Sequence, residues 1–257
     1  MLRTEKDKQN TSVFEFMAGL IIFTLIFTAA SILIGVTLRN NFESYMDKKN
    51  AAPLASDSLF PTYIIDPGHG GEDGGCSSGD VLEKDLNLFV SENLYDIFTF
   101  MGIPAKMTRT EDKLLYDMYG DLTDYTGKKK AFDLRNRLRF ATEEGGVYIG
   151  IHMNKFPEVK YSGLQVYYSP NHEESKLYAD KIKSYTKSYL QPENEREIKK
   201  ATSAIYILSK AEMPAVLVEC GFLSNENELA LLCDGEYRKK LALELFCAVS
   251  EHDRAEG

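Results

Sequence analysis

Four side chains in this sequence have the types and positions that hydrolytic chemistry needs: His69, Glu83, His152 and Glu219. His69 lies in Tyr63-Ile-Ile-Asp-Pro-Gly-His-Gly-Gly-Glu-Asp-Gly-Gly75, an apolar strand running into a glycine-rich turn. Such turns also cradle phosphates, but Asp73 stands where G-x-G-x-x-G requires its third glycine, and no Lys-Ser/Thr pair follows. Glu83 opens an amphipathic helix, and His152 ends the apolar strand Val147-Tyr-Ile-Gly-Ile151. Two imidazoles and one carboxylate supply three ligands and leave a fourth position vacant, the arrangement of a catalytic rather than a structural zinc. Magnesium and calcium prefer shells made of oxygen. Glu219 terminates the apolar run Pro214-Ala-Val-Leu-Val218, where a carboxylate is costly to bury unless something pairs with it. Beside a metal-activated water it acquires a role, taking a proton and later delivering it to a leaving amine. Taken singly, each residue has a plainer explanation: a turn histidine, a carboxylate favoured by the helix dipole, an exposed strand-end glutamate.

Alternating short β-type runs and amphipathic helical runs must position these groups. Strands are expected at 63–66, 105–108, 147–152, 164–168 and 215–219, and helices at 83–100, 128–143, 173–189 and 236–251. The pattern predicts an α/β fold, a mixed and mainly parallel sheet flanked by helices, in which His69, His152 and Glu219 project beyond the carboxyl ends of strands. Asp66 and Asn154 flank the ligand candidates and are expected either to orient the imidazoles or to cap strand ends. Taken alone, Arg137 reads as a solvated helix charge, and His172 and His252 as surface residues. Cys76 is near enough to His69 to rival it as a ligand, whereas Cys220 should face the core. No C-x-x-C occurs among Cys76, Cys220, Cys233 and Cys247, and four cysteines allow three pairings that the sequence does not choose among.

The chain has 257 residues with 30 Lys+Arg against 39 Asp+Glu, a net charge of -9. Residues 1–57 carry six of each sign, so the whole excess lies in the remainder, and an acidic domain makes nucleic acid an improbable partner. Residues 16–38 contain no charge, and as a helix of roughly 34 Å they would cross a hydrocarbon core of about 30 Å. The expected organisation is a short polar segment (1–15), a single transmembrane anchor (16–38), a polar tether (39–60) and one catalytic domain (61–253). Lys/Arg counts on the two sides of the span are equal and leave its orientation open.

Four ordered blocks resemble the zinc-dependent N-acetylmuramoyl-L-alanine amidases of the amidase_3 family: Asp66-Pro-Gly-His-Gly-Gly-x-Asp-x-Gly75, Glu83 at a helix start, Ile151-His-x-Asn154, and Pro214-x-Val-Leu-Val-Glu-x-Gly-Phe-Leu-Ser-Asn225. The resemblance covers nearly all of the chain beyond residue 62, and Arg137 matches an arginine typical of the family. It implies that His69, Glu83 and His152 bind one Zn2+ per chain and that Glu219 is the catalytic acid/base. The substrate it implies is peptidoglycan, cut between the lactyl group of muramic acid and L-alanine. Leu82-Glu-Lys-Asp85, Met107-Thr-Arg109, Lys130-Ala-x-Asp-Leu-Arg135, Tyr161-Ser-Gly-x-Gln165 and Ile205-Tyr-Ile-Leu208 are similar to the membrane-anchored spore-cortex branch. That likeness implies a role in muramic-δ-lactam formation, with the domain on the extracytoplasmic side. The alternatives are a vegetative wall-remodelling amidase, a different zinc hydrolase and a non-catalytic peptidoglycan-binding module. Gly150-Ile-His-Met-Asn-Lys155 departs from the common Ser-Ile-His-Ala-Asn-Ala, and Ala141-Thr142 from an Ala-Asn pair, changes that touch substrate fit more than metal binding. The stretch before Lys128 is too short for the autoinhibitory helix that some members insert. Regulation is therefore expected from outside, through an activating accessory protein.

Overall fold

A computed structural model describes residues 60–256. The anchor expected over 16–38, and the tether up to residue 59, lie outside the described residues. Among the described residues no helix is long and apolar enough to cross a membrane.

Among the described residues eight strands form: β1 (Tyr63–Pro67), β2 (Ser77–Ser78), β3 (Val81–Leu82), β4 (Ala105–Met107), β5 (Val147–Asn154), β6 (Gln165–Tyr168), β7 (Lys199–Lys200) and β8 (Ala215–Phe222). Six helices among the described residues accompany them: α1 (Glu83–Phe100), α2 (Lys129–Glu144), α3 (Glu174–Tyr185), α4 (Tyr206–Lys210), α5 (Glu226–Cys233) and α6 (Gly235–Glu256). A π-helical turn, Thr186–Leu190, follows α3. The main sheet has the order β4-β1-β5-β8-β6-β7, and β2 and β3 form a separate hairpin. β4, β1, β5 and β8 run parallel, while β6 lies antiparallel to β8 and parallel to β7. The mixed, mainly parallel sheet expected from the sequence is present.

Parallel strands buried on both faces read as continuous apolar runs, as β1, β5 and β8 do. One face packs on α1, α3 and α6. Leu86, Val90, Leu94 and Phe98 repeat every fourth residue along α1 and are all buried, each worth about 1.5–3 kcal/mol of transfer free energy. The other face carries a smaller cluster, in which Ile64, Tyr148 and Ala215 meet Ala141 of α2 and Ile207 and Leu208 of α4. The sheet edge at β7 shows exposed Lys199 and Lys200, whose charges discourage pairing with another chain. The carboxyl ends of β1, β5 and β8 share one edge, the usual ligand-binding side of such a sheet.

Candidate metal centre

The centre is assembled from three elements at that edge. His152 on β5 lies opposite Glu219 on β8 and, like it, faces the α2/α4 side; Gln165 on β6 continues the row. His69 lies just past β1 with φ 63°, a left-handed conformation that a non-glycine residue holds only when its surroundings enforce it. Glu83 is the first residue of α1 and is 3% exposed. Its Oε1 stands 3.2 Å from His69 Nε2 and 3.0 Å from His152 Nδ1. One ligand atom from each of the three residues lies within 4.8 Å of the others. Donors around a tetrahedral zinc at about 2.1 Å are roughly 3.4 Å apart, so the set fits a single divalent ion.

Electrostatics reinforce this fit. Burial pushes the Glu83 carboxyl up, but His152 and His69, through hydrogen bonds and charge, hold it well below the usual carboxylate range. The anion also accepts hydrogen bonds from the backbone N–H of Cys76 (2.7 Å, to Oε2) and of Met153 (3.1 Å, to Oε1). Asp73 Oδ2 lies 3.0 Å from His69 Nδ1, a carboxylate behind a ligand imidazole. Burial tends to lower the His69 pKa, yet Glu83 and Asp73 together raise it. Glu219 is different. Burial lifts its carboxyl to about 7, the nearby Glu83 anion adds to the rise, and the two imidazoles oppose it. Its Oε2 is shut off from solvent and has no hydrogen-bond partner among the described residues, which leaves it available to a proton in the site.

Close packing holds the ligands in place. A methyl group on Gly68 would lie 2.2 Å from the His152 ring, and one on Gly75 (φ 69°) would lie 2.5 Å from Glu83 Oε2. Three successive carbonyls of the turn are then gripped by buried donors. Pro67 O accepts from Arg109 Nε (2.9 Å) and Arg137 Nη1 (2.8 Å), Gly68 O from Arg109 Nη2 (3.0 Å) and Asn87 Nδ2 (3.1 Å), and His69 O from Arg137 Nη2 (2.6 Å). Arg137 is neutralised by Asp66 (2.6 Å) and Asp133 (2.8 Å). Burial, and then the charge of Arg137, bring Arg109 down to about 10.

The structure brings all four sequence-derived site residues together and corrects several expectations around them. Arg137 is 1% exposed, not a solvated helix charge, because α2 turns it into the turn that carries His69. Asp66 orients neither imidazole; its carboxylate is occupied by Arg137, Thr108 Oγ1 and Tyr148 OH. The Asn154 side chain accepts from the Lys155 N–H and likewise leaves the imidazoles alone. His252 is 5% exposed, packed 4.4 Å from the Tyr178 ring, and so is not a surface residue; His172 is half-buried. Cys76 does not join the ligand set. Burial and the Glu83 anion push its thiol well up, and its Sγ faces Met153 O at 3.4 Å. Cys220 is buried in the core as expected, and all four cysteines are free. The sequence reading assigned no role to Arg109, Asn87, Asp73 or Asp133; only the glycine-rich setting of Asp73 hinted at one.

Comparison with known proteins points to amidases. The Amidase_3 family, described as N-acetylmuramoyl-L-alanine amidase, matches residues 64–251. The chain is 33% identical over 208 residues to the germination-specific N-acetylmuramoyl-L-alanine amidase of Bacillus subtilis, covering 80% of this chain and 83% of that protein. The CwlD amidase of Clostridioides difficile, solved in complex with the GerS lipoprotein, superposes with a TM-score of 0.69 at 34% identity, covering 74% of this chain and 97% of that one. An N-acetylmuramoyl-L-alanine amidase from Clostridium difficile 630 gives a TM-score of 0.66 at 27% identity, over 78% of this chain and 100% of the other. With its His-Glu-His cluster and opposed glutamate at the carboxyl edge of a mainly parallel sheet, this chain belongs to the Amidase_3 family of N-acetylmuramoyl-L-alanine amidases.

Proposed function

We propose that the protein is a zinc-dependent peptidoglycan amidase that cuts the lactyl-to-L-alanine amide during spore-cortex maturation. The observation that carries the chemistry is the pairing of a three-ligand His69-Glu83-His152 cluster with Glu219, whose Oε2 is buried and unpartnered. When bound by those ligands, zinc supplies a Lewis acid for the scissile carbonyl and lowers the pKa of water to about 7. Glu219 accepts the proton of the attacking water and returns it to the alanine nitrogen, so that a neutral amine leaves. His69 and His152 must be deprotonated on their ligating nitrogens, and the Asp73 carboxylate, 3.0 Å from His69 Nδ1, favours a proton on that nitrogen through its charge. The Arg109 and Arg137 clamps fix the turn that presents His69 and do not touch the reacting atoms.

The cortex role is supported by the likeness to the germination-specific amidase and to CwlD. By the likeness to CwlD in complex with the GerS lipoprotein, this chain assembles with an accessory lipoprotein. Separately, the uncharged run at residues 16–38 anchors it in a membrane, with the catalytic domain on the side of its peptidoglycan substrate, outside the cytoplasm. The deciding experiment is mass spectrometry of glycan strands after digestion with the zinc-loaded protein, with and without its partner. Release of peptide with a free L-alanine amine is expected. Intact lactyl-alanine links under both conditions would refute the activity. Deleting the gene should remove muramic-δ-lactam from spores, and unchanged lactam would place the enzyme in vegetative wall remodelling.

A further inference from the structure

Along the catalytic edge, Arg196 is a cation whose side-chain hydrogen bonds go to no carboxylate. Glu195 and Glu197, which flank it in sequence, pair with Lys187 and Lys183 at 2.7 and 2.5 Å. Arg196 turns the other way: its Nε donates to Ser162 O at 2.6 Å and its Nη1 to Gln165 Oε1 at 3.5 Å. The guanidinium lies 4.4 Å over the Phe222 ring and 5.7 Å from that of Tyr161, stacking that favours arginine and restricts its motion. Among the described residues it makes no ion pair. Glu228, also in this cleft, feels the charge of Arg196, but both its oxygens are hydrogen-bonded to backbone: Oε1 accepts from Gly163 N and Oε2 from Phe222 N. Lys160, Tyr161, Gly163, Glu193, Asn194 and Arg196 line a cleft of about 510 Å³ that no other part of the mechanism uses, so that two cations there face Glu193 and the already engaged Glu195 and Glu228.

Its position relative to the chemistry follows from strand register. His152, Glu219 and Gln165 stand side by side on β5, β8 and β6. Adjacent strands are about 4.8 Å apart and the guanidinium stands 3.5 Å beyond the Gln165 amide oxygen, so it lies roughly 8 Å from Glu219, on the side away from the histidines. An extended peptide advances about 3.3–3.6 Å per residue, so this distance corresponds to between two and three residues. We propose that Arg196 is a specificity-determining residue that binds a carboxylate on the peptide leaving group, two or three residues beyond the scissile nitrogen. This rests on the amidase reading, in which Glu219 hands its proton to the leaving amine and the peptide departs across the Glu219 flank.

The test uses two muramoyl tripeptides that differ only in whether the acidic groups of the second and third residues are carboxylates or carboxamides, together with the two matching free tripeptides. Calorimetry on the zinc-loaded protein should show the acid tripeptide binding at least tenfold more tightly than the amide. Arg196→Gln should bring that ratio to within twofold, and in turnover the preference should lie in KM. Equal binding of acid and amide by the unaltered protein, or a preference that survives Arg196→Gln, would overturn the proposal and leave Arg196 as a structural pin for the 156–163 loop. If Arg196→Gln does not fold, the ratio in the unaltered protein and in Arg196→Lys decides. Cleavage of both muramoyl peptides at one rate would sink this site and spare the amidase reading. Selective binding of the acid with cleavage of neither would do the reverse.

Discussion

Gly68 offers a substitution whose effect is confined to one ligand. Its backbone φ is not in the left-handed region, so alanine fits the chain there. Its methyl group, however, would lie 2.2 Å from His152 Cε1 and 2.3 Å from Nε2. Ordinary carbon contacts begin near 3.5 Å, so the imidazole must retreat by about 1.3 Å. Metal–ligand distances tolerate about 0.2 Å, and even disturbing a residue behind a ligand costs 10–100-fold in metal affinity. Gly68→Ala should therefore weaken zinc binding by at least about 100-fold, and activity should fall in step. Overpacking should lower stability by only about 1–3 kcal/mol. Competition against a chromophoric chelator reads the affinity, and thermal unfolding of the metal-free protein reads the stability. Gly79→Ala is the control: φ there is 57° and nothing stands near the added methyl, so stability drops by about 1 kcal/mol with zinc affinity intact. Zinc bound by Gly68→Ala with unaltered affinity would mean that His152 does not ligate from the position described.

Three further outcomes follow from the buried charges. Glu219→Gln should lower kcat by about 10²–10⁴ while zinc content stays at one ion per chain, measured by metal analysis beside peptide release. Arg137→Ala strands Asp66 and Asp133 without their cation and should cost about 3–5 kcal/mol in urea unfolding; a loss below 1 kcal/mol would contradict its role as a clamp. Glu244 is 6% exposed, and burial lifts its carboxyl to about 8. Its neutral form supports the fold fully below about pH 4.5, and that support fades as pH rises through 8, by up to about 1.4 kcal/mol per pH unit. Glu244→Gln should flatten the slope between pH 5 and 8, and identical slopes in both proteins would show that the carboxyl titrates normally.

His69, His152 and Glu219 were legible in the sequence because each ends an apolar run, and strand ends in an α/β sheet share an edge. The helix at 83–100 and the strand start at Tyr63 were also placed correctly, since a four-residue apolar repeat and a short β-branched run are local signals. The later strands β5 and β8 run past their expected ends to Asn154 and Phe222, because these two residues still pair across a register shift that no sequence period signals. The helix expected over 173–189 breaks at Tyr185 into the π-helical turn, which no periodicity announces. β7, α4, α5 and the small hairpin are too short to leave a periodic trace. Arg109 and Arg137 were illegible as buried groups because their burial depends on which strands become neighbours. His252 did carry a signal: it follows Leu245 and Val249 at helical spacing on the buried side of α6.

Because guanidinium and amide donors already occupy the carbonyls at 67, 68 and 69, the backbone that carries the first imidazole belongs to the rigid frame of the domain. Ion uptake then needs no rearrangement of the turn that carries His69. Enzyme stripped by a chelator and replenished should regain turnover as fast as the cation is supplied, without a lag for loop reorganisation.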